Sequence, residues 1–172
     1  AETGVHARPL IENQTNYTAV SYRYTPEIAQ LRSTQAAYPL SVERRYTQVP
    51  SGLPQQVRTL SDNLTAPASS SYESAKAIEQ WLEQNKNYSL NATHPPGTDP
   101  VAHFLFEADA GTAEYHASAM AVMLQAQDIP ARYVTGYATG EAIQNQSDSY
   151  AVRPVNTHAW VEVYFPGHGW VP

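Results

Sequence analysis

The stretch GTAEYHASAMAVMLQAQDIPARYVTGY, residues 111–137, decides the fold. Its first half places Tyr115, Ala119, Met120, Met123 and Leu124 at helical spacing. Gly111 and Thr112 stand where a helix cap belongs, and Glu114 puts negative charge in the first turn, where the helix dipole favours it. Asp128-Ile-Pro130 ends the run. From Ala131 to Thr139 the pattern changes to the β-branched and aromatic alternation of a strand. A second alternating stretch, THAWVEVYF, covers Thr157 to Phe165, and Trp170-Val171 opens a third. A helix followed by consecutive strands predicts the α+β class, with a central helix packed on antiparallel strands.

Working outward, Pro54 is placed as a first-turn proline, with Val57, Leu60 and Leu64 following at helical spacing and a stop near Ala66-Pro67. Ser69-Ser70-Ser71 with Glu73 reads as a capping box. It opens a helix over Tyr72–Asn87 whose broad apolar face is Tyr72, Ala75, Ile78, Trp81 and Leu82. His94 to Pro100 is turn-forming, and Val101–Glu107 is a short apolar run leading into the central helix. Nearer the start, Thr18–Tyr24 has strand composition, and residues 27–50 hold a short helical turn at Glu27–Leu31. The expected organisation is an N-terminal extension, partly strand, over residues 1–50, and a core over residues 51–172.

Composition excludes several functions. A net charge of −6 and a pI near 5.4, with no basic cluster beyond the pair Arg44-Arg45, argue against nucleic acid. No run approaches the ~20 apolar residues of a membrane span. With no cysteine there is no disulfide and no thiolate metal site. His6, His94, His103 and His168 lack paired ligand spacing, so neither a catalytic metal nor another cofactor is expected.

The start of the central helix is suited to nucleophilic chemistry. Unpaired backbone N–H groups and the helix dipole stabilise an anion there, so a thiol at position 113 would ionise readily. The same N–H groups would hold an oxyanion, and a histidine on a neighbouring strand would complete a thiolate–imidazolium pair. His158 is such a histidine, on an apolar strand, but position 113 holds alanine. From the residues alone, His158 reads first as a half-buried strand histidine and Gly111-Thr112-Ala113 as a plain helix cap, and composition and periodicity do not establish an enzyme. Trp160 and Trp170 read as core residues that would otherwise line a substrate channel, and Glu162 as a surface carboxylate in phase with His158.

From about Tyr46 to Pro172 the chain resembles the transglutaminase-like superfamily, and within it the bacterial membrane-anchored branch. The motifs that carry the resemblance are Gly111-Thr-Ala-Glu-Tyr115, Asp128-Ile-Pro-Ala-Arg132, Val134-Thr-Gly-Tyr137, His158-Ala-Trp-Val-Glu-Val-Tyr164 and Gly167-His-Gly-Trp-Val-Pro172. The first 45 residues match only slightly. The resemblance implies a papain-like fold and a Cys-His-Asp triad that transfers or hydrolyses acyl groups at amides. It implies protein glutamine or cell-envelope peptides as substrates, with papain-like protease or amidase activity, or non-catalytic peptide binding, as alternatives. Carried over by position, Ala113 takes the nucleophile's place and His158 that of the general base, with Tyr115 and Trp160 as substrate contacts. The triad aspartate follows Gly-Trp-Val-Pro in the family and is absent from this chain. Alanine cannot be deprotonated or acylated, so the polypeptide is expected to be inactive. The intact surroundings favour an engineered cysteine-to-alanine change over a natural pseudoenzyme. The branch implies a domain outside the cytoplasm in a membrane-anchored parent protein, with a protein or peptide as its partner.

Overall fold

The central helix, α6 (Ala113–Gln125), forms because alanine, methionine and leucine favour it and because nearly every side of it is covered. Ala117, Ala119, Ala121, Met123 and Leu124 are all buried. The small alanine side chains let the neighbouring elements approach its backbone closely. The computed structural model describes residues 25–144 and 149–172. The strand expected at Thr18–Tyr24 lies outside the described residues.

Six helices of the described chain precede or include this core: α1 (Ile28–Ser33), α2 (Leu40–Tyr46), α3 (Gln55–Thr65), α4 (Ser71–Asn85), α5 (Pro100–Phe106) and α6. Helices α3, α4 and α5 pack on one side of α6, burying Val57, Ile78, Leu82, Phe104 and Leu105 against it. Buried Ser61 on α3 donates its hydroxyl to the Met123 carbonyl at 2.7 Å, which ties α3 to α6 without leaving an unpaired polar group. The other side of α6 meets a three-stranded antiparallel sheet, in the order β3 (Ala131–Tyr137), β6 (Thr157–Phe165), β7 (Gly169–Val171). Two short parallel strands, β1 (Asn87–Tyr88) and β2 (Ala110–Gly111), tie the end of α4 to the entry of α6. Within the polar connector expected over Thr139–Pro154, β4 (Glu141–Ala142) and β5 (Tyr150–Ala151) pair with each other, and a 3-10 turn follows at Pro154–Asn156.

The expected long helices are present with shifts of one or two residues at their ends. Pro54 is the residue before α3 rather than its first turn. At α4 the Ser70 hydroxyl accepts from the Glu73 N–H at 3.3 Å. The Glu73 carboxylate reaches back to the N–H and hydroxyl of Ser69. Two helices differ from the sequence reading. The apolar run Val101–Glu107, to which no element was assigned, falls in a helix over Pro100–Phe106, because Asp99 caps it through the Ala102 N–H and Pro100 occupies its first turn. Helix α2 falls where no element was expected.

Residues 25–50 are joined to the rest by packing. Leu31 belongs to the buried core, the Tyr38 hydroxyl bonds Ser71 Oγ at 2.7 Å, and the Tyr46 ring meets Trp170 edge-on. Among the described residues no helix is long and apolar enough to cross a membrane.

Candidate active site at the start of helix α6

Gly111 sets the entry to α6. A side chain there would meet the Phe104 ring at 2.5 Å and Tyr115 Cβ at 2.9 Å, so only glycine lets α5, β2 and the first turn of α6 close on one another. Thr112 is the N-cap residue in extended conformation, and its side chain makes no capping bond. Its hydroxyl is directed to the Glu114 carboxylate instead. That bond and the Glu114 N–H hold the carboxyl below its ordinary value despite a small opposing effect of burial, and the His158 ring adds a lesser attraction. Ala113 itself is 8% exposed.

His158 stands at the second position of β6, paired across from Gly136, and is exposed. Alternation along β6 buries Ala159, Val161, Val163 and Phe165 toward α6. His158, Trp160, Glu162 and Tyr164 share the other face. Helix α6 packs against β6, and the His158 ring adds the smallest of the effects that lower the Glu114 carboxyl.

The face that His158 shares is a built surface. The Trp160 indole lies over the bare Cα of Gly136, where a Cβ would meet it at 2.7 Å. Trp160 Nε1 points to Glu162 Oε1 at 3.4 Å. Glu162 Oε2 accepts from Arg132 Nε at 2.7 Å and from its terminal nitrogen at 2.6 Å. The guanidinium then lies 4.3 Å above the Trp170 ring, which Tyr46 and Tyr164 meet edge-on. The core reading of the two tryptophans is thus corrected. Both are partly exposed on the outer face of the sheet, because the inner face is filled by Ala159, Val161, Val163 and Phe165. Glu162 is no free surface carboxylate but one arm of a cross-strand ion pair.

Tyr115 faces away from that surface. Its ring packs on Phe104, and its hydroxyl meets His94 Nδ1 at 2.8 Å, which draws the 94–99 turn over the first turn of α6. His116 Nδ1 donates to the Thr112 carbonyl at 3.0 Å while its ring packs on Phe104. Among the described residues no group of three or more histidine, aspartate or glutamate side chains is arranged to hold a metal ion.

Sequence reasoning missed Gly136 and Tyr133. The former makes room for Trp160. The latter is exposed on the α6 side of β3, and its phenol is raised above its usual pKa by burial and by the nearby Glu114 charge. The glycine inside an otherwise good strand, Val134-Thr-Gly-Tyr137, was the available signal, since such a glycine marks close approach of another group.

Residues 58–172 match the sequence profile of the transglutaminase-like superfamily. The chain is 38% identical over 170 residues to the uncharacterized protein YebA of Bacillus subtilis, covering 94% of this chain and 23% of that one. It is 36% identical over 131 residues to a protein-glutamine gamma-glutamyltransferase of Pseudomonas aeruginosa, covering 74% of this chain and 19% of that protein. The chain therefore spans about a fifth of the length of these curated relatives. The periplasmic domain of TgpA from Pseudomonas aeruginosa superposes with a TM-score of 0.70 at 30% identity, over 78% of this chain and 46% of that domain. A cysteine protease fold from Cytophaga hutchinsonii superposes with a TM-score of 0.59 at 20% identity, over 83% of this chain and 45% of the other. The mixed helix and strand architecture is thus that of transglutaminase-like and papain-like proteins.

Proposed function

The chain belongs to the transglutaminase-like superfamily, and from that premise we propose that the start of α6 and His158 form a thiol acyl-transfer site whose nucleophile position is occupied by Ala113. The observation that carries the reading is the first turn of α6. Ala113 lies there among backbone N–H groups that have no side-chain cap, and His158 is carried by β6, the strand on which α6 packs.

With cysteine at this position the chemistry follows from the arrangement. His158 takes the thiol proton, and the thiolate attacks the carbonyl carbon of a glutamine side-chain amide. First-turn N–H groups stabilise the oxyanion. The C–N bond then breaks, ammonia leaves with the proton returned by His158, and a thioester remains. An amine or water resolves the thioester, giving a cross-link or a glutamate. The third group that would orient His158 is an aspartate following the Gly-Trp-Val-Pro motif. Alanine has no proton to lose and no lone pair to donate, so the chain as it stands carries out none of these steps. The glutamyltransferase name of one relative and the periplasmic source of one structural match support a protein-glutamine or cell-envelope peptide substrate. The periplasmic source of that match also supports a place outside the cytoplasm, and the parent protein is proposed to be membrane-anchored.

The test is Ala113→Cys in a chain extended beyond Pro172 to include the family's triad aspartate, with iodoacetamide alkylation followed at neutral pH. The thiol is expected to react at least about tenfold faster than a free peptide cysteine, as a lowered thiol pKa requires. Equal rates would overturn the assignment. Ammonia release from a glutamine peptide, with and without a primary amine, then separates transfer from hydrolysis.

A further inference from the structure

We propose that the free edge of β3 receives the acyl-donor polypeptide as an added β-strand, pairing with the backbones of Tyr133, Thr135 and Tyr137 beside the start of α6. The proposal rests on the acyl-transfer reading above and adds how the substrate is held and what shape it must have.

Among the described residues, β3 is paired on one side only, by β6. Which of its backbone groups face outward follows from the hydrogen bonds at the two ends of that pairing. The Tyr164 N–H donates to the Pro130 carbonyl at 2.9 Å, and the Ala138 N–H donates to the Asn156 carbonyl at 2.8 Å. The register is unbroken between them. In an antiparallel ladder the bonded pairs alternate, so Arg132, Val134 and Gly136 spend their N–H and carbonyl groups on β6. Ala131, Tyr133, Thr135 and Tyr137 turn theirs to the outer edge. One side-chain contact checks this assignment independently. The Ala131 carbonyl is met from outside by Gln125 Nε2 at 2.9 Å. That contact closes the edge at its first residue. From Tyr133 to Tyr137, among the described residues, no backbone partner occupies the outer side.

Exposed strand edges are usually blunted by lysine, proline, a bulge or a covering element, because an open row of donors and acceptors recruits another strand. The Tyr133–Tyr137 segment has no lysine, no proline and no bulge, and among the described residues no strand pairs with its outer side. The β4–β5 hairpin nearby pairs with itself. An edge left open in this way suits β-augmentation, in which main-chain bonds supply affinity and alternate side chains supply selectivity.

Position relates this edge to the site. Helix α6 turns through Ile129-Pro130 into β3 and packs on it, and the Gln125–Ala131 bond sets the end of the helix beside the start of the strand, so the two run in opposite directions. A 13-residue helix is about 20 Å long and a seven-residue strand about 23 Å, so the first turn of α6 lies level with the far end of β3. The side chains of Tyr133, Thr135 and Tyr137 share the sheet face that α6 covers elsewhere, yet Tyr133 is 41% and Tyr137 62% exposed. A strand added here presents every second side chain to that same face, beside Ala113. Recognition is then mainly of backbone, so the substrate must be an extended, unfolded segment with loose sequence requirements around the reacting glutamine.

Backbone amide exchange of the ¹⁵N-labelled protein, with and without saturating dimethylated casein as an unfolded glutamine-rich probe, tests this. Casein is expected to slow exchange at Tyr133, Thr135 and Tyr137 by at least about tenfold, with no added protection at Arg132, Val134 and Gly136. Unchanged exchange at the three odd positions, or protection that grows with protein concentration in the absence of casein (a second copy pairing there), would overturn it. A second measurement uses Thr135→Pro in the Ala113→Cys background, since this removes an outward N–H and leaves the β3–β6 ladder whole. The KM for dimethylated casein is expected to rise about tenfold or more while the iodoacetamide rate stays the same. An unchanged KM would sink the edge proposal alone, whereas a slow iodoacetamide reaction before any edge change would sink the acyl-transfer reading.

Discussion

The six-membered ring of Trp160 rests on Gly136, so that a Cβ at residue 136 would come within 2.7 Å of Cη2. Gly136 is also the residue paired directly across from His158. The contact therefore fixes the tryptophan next to the histidine on one sheet face. Gly136→Ala is expected to displace the indole and cost about 1–3 kcal/mol, the usual range for overpacking. Urea denaturation gives the loss, and near-UV circular dichroism reports the changed tryptophan environment. Wild-type stability in this variant would contradict the contact.

Gly111 is the tighter of the two glycines. It is buried, and its missing side chain is bounded by Phe104 and Tyr115 on different helices. Gly111→Ala is expected to destabilise by about 1–3 kcal/mol. It should also slow the thiol of an Ala113→Cys background, because the first turn of α6 must shift. The paired measurement of melting temperature and alkylation rate checks both.

Asp128 has a positive φ of 54°, a left-handed conformation that costs a residue with a Cβ about 1–2 kcal/mol. Asp128→Gly relieves that cost but gives back part of it as unfolded-chain entropy. The expected net result is a stabilisation of up to about 1 kcal/mol, read as a higher denaturation midpoint at unchanged m-value.

Arg132 holds Glu162 through two nitrogens and covers Trp170 with its plane. Lysine reproduces the charge but neither the fork nor the stacking. Arg132→Lys is expected to cost about 1 kcal/mol, between the values for exposed and buried pairs, since both side chains are partly exposed. Thermal unfolding at low and high salt checks it, and the loss should persist at high salt because stacking is not screened.

Glu114 gives the pH dependence a defined sign. Its carboxyl is held below its ordinary value, first by the Thr112 hydroxyl. It therefore contributes stability above the unfolded carboxylate pKa of about 4.3. That contribution is lost as pH falls through the lower folded value. Thr112→Val is expected to flatten this acid limb, with little change at neutral pH beyond the lost bond. Stability curves from pH 2 to 6 make the comparison, and an unaltered acid limb would refute the Thr112–Glu114 bond.

Elements whose pattern is local were legible in the sequence. The apolar spacing in Tyr115–Leu124, the alternation in Thr157–Phe165 and the Ser-x-x-Glu signal before α4 each repeat within a few residues, and each produced the expected element. The order of motifs from Gly111 to Pro172 was enough for the family. Short helix α5 was legible from Asp99-Pro100, but the surrounding turn residues masked it. Which partner each face meets is set by long-range packing. Trp160 looks like core in one dimension and lies outside because Ala159 and Val161 already fill the side toward α6. The cross-strand pair of Arg132 and Glu162 depends on a register between segments 30 residues apart. The edge of β3 that has no strand partner among the described residues depends on sheet order, and no periodicity within a single strand encodes which of its two edges is paired. Hydrophobic period is a property of one segment, whereas pairing and facing are properties of two.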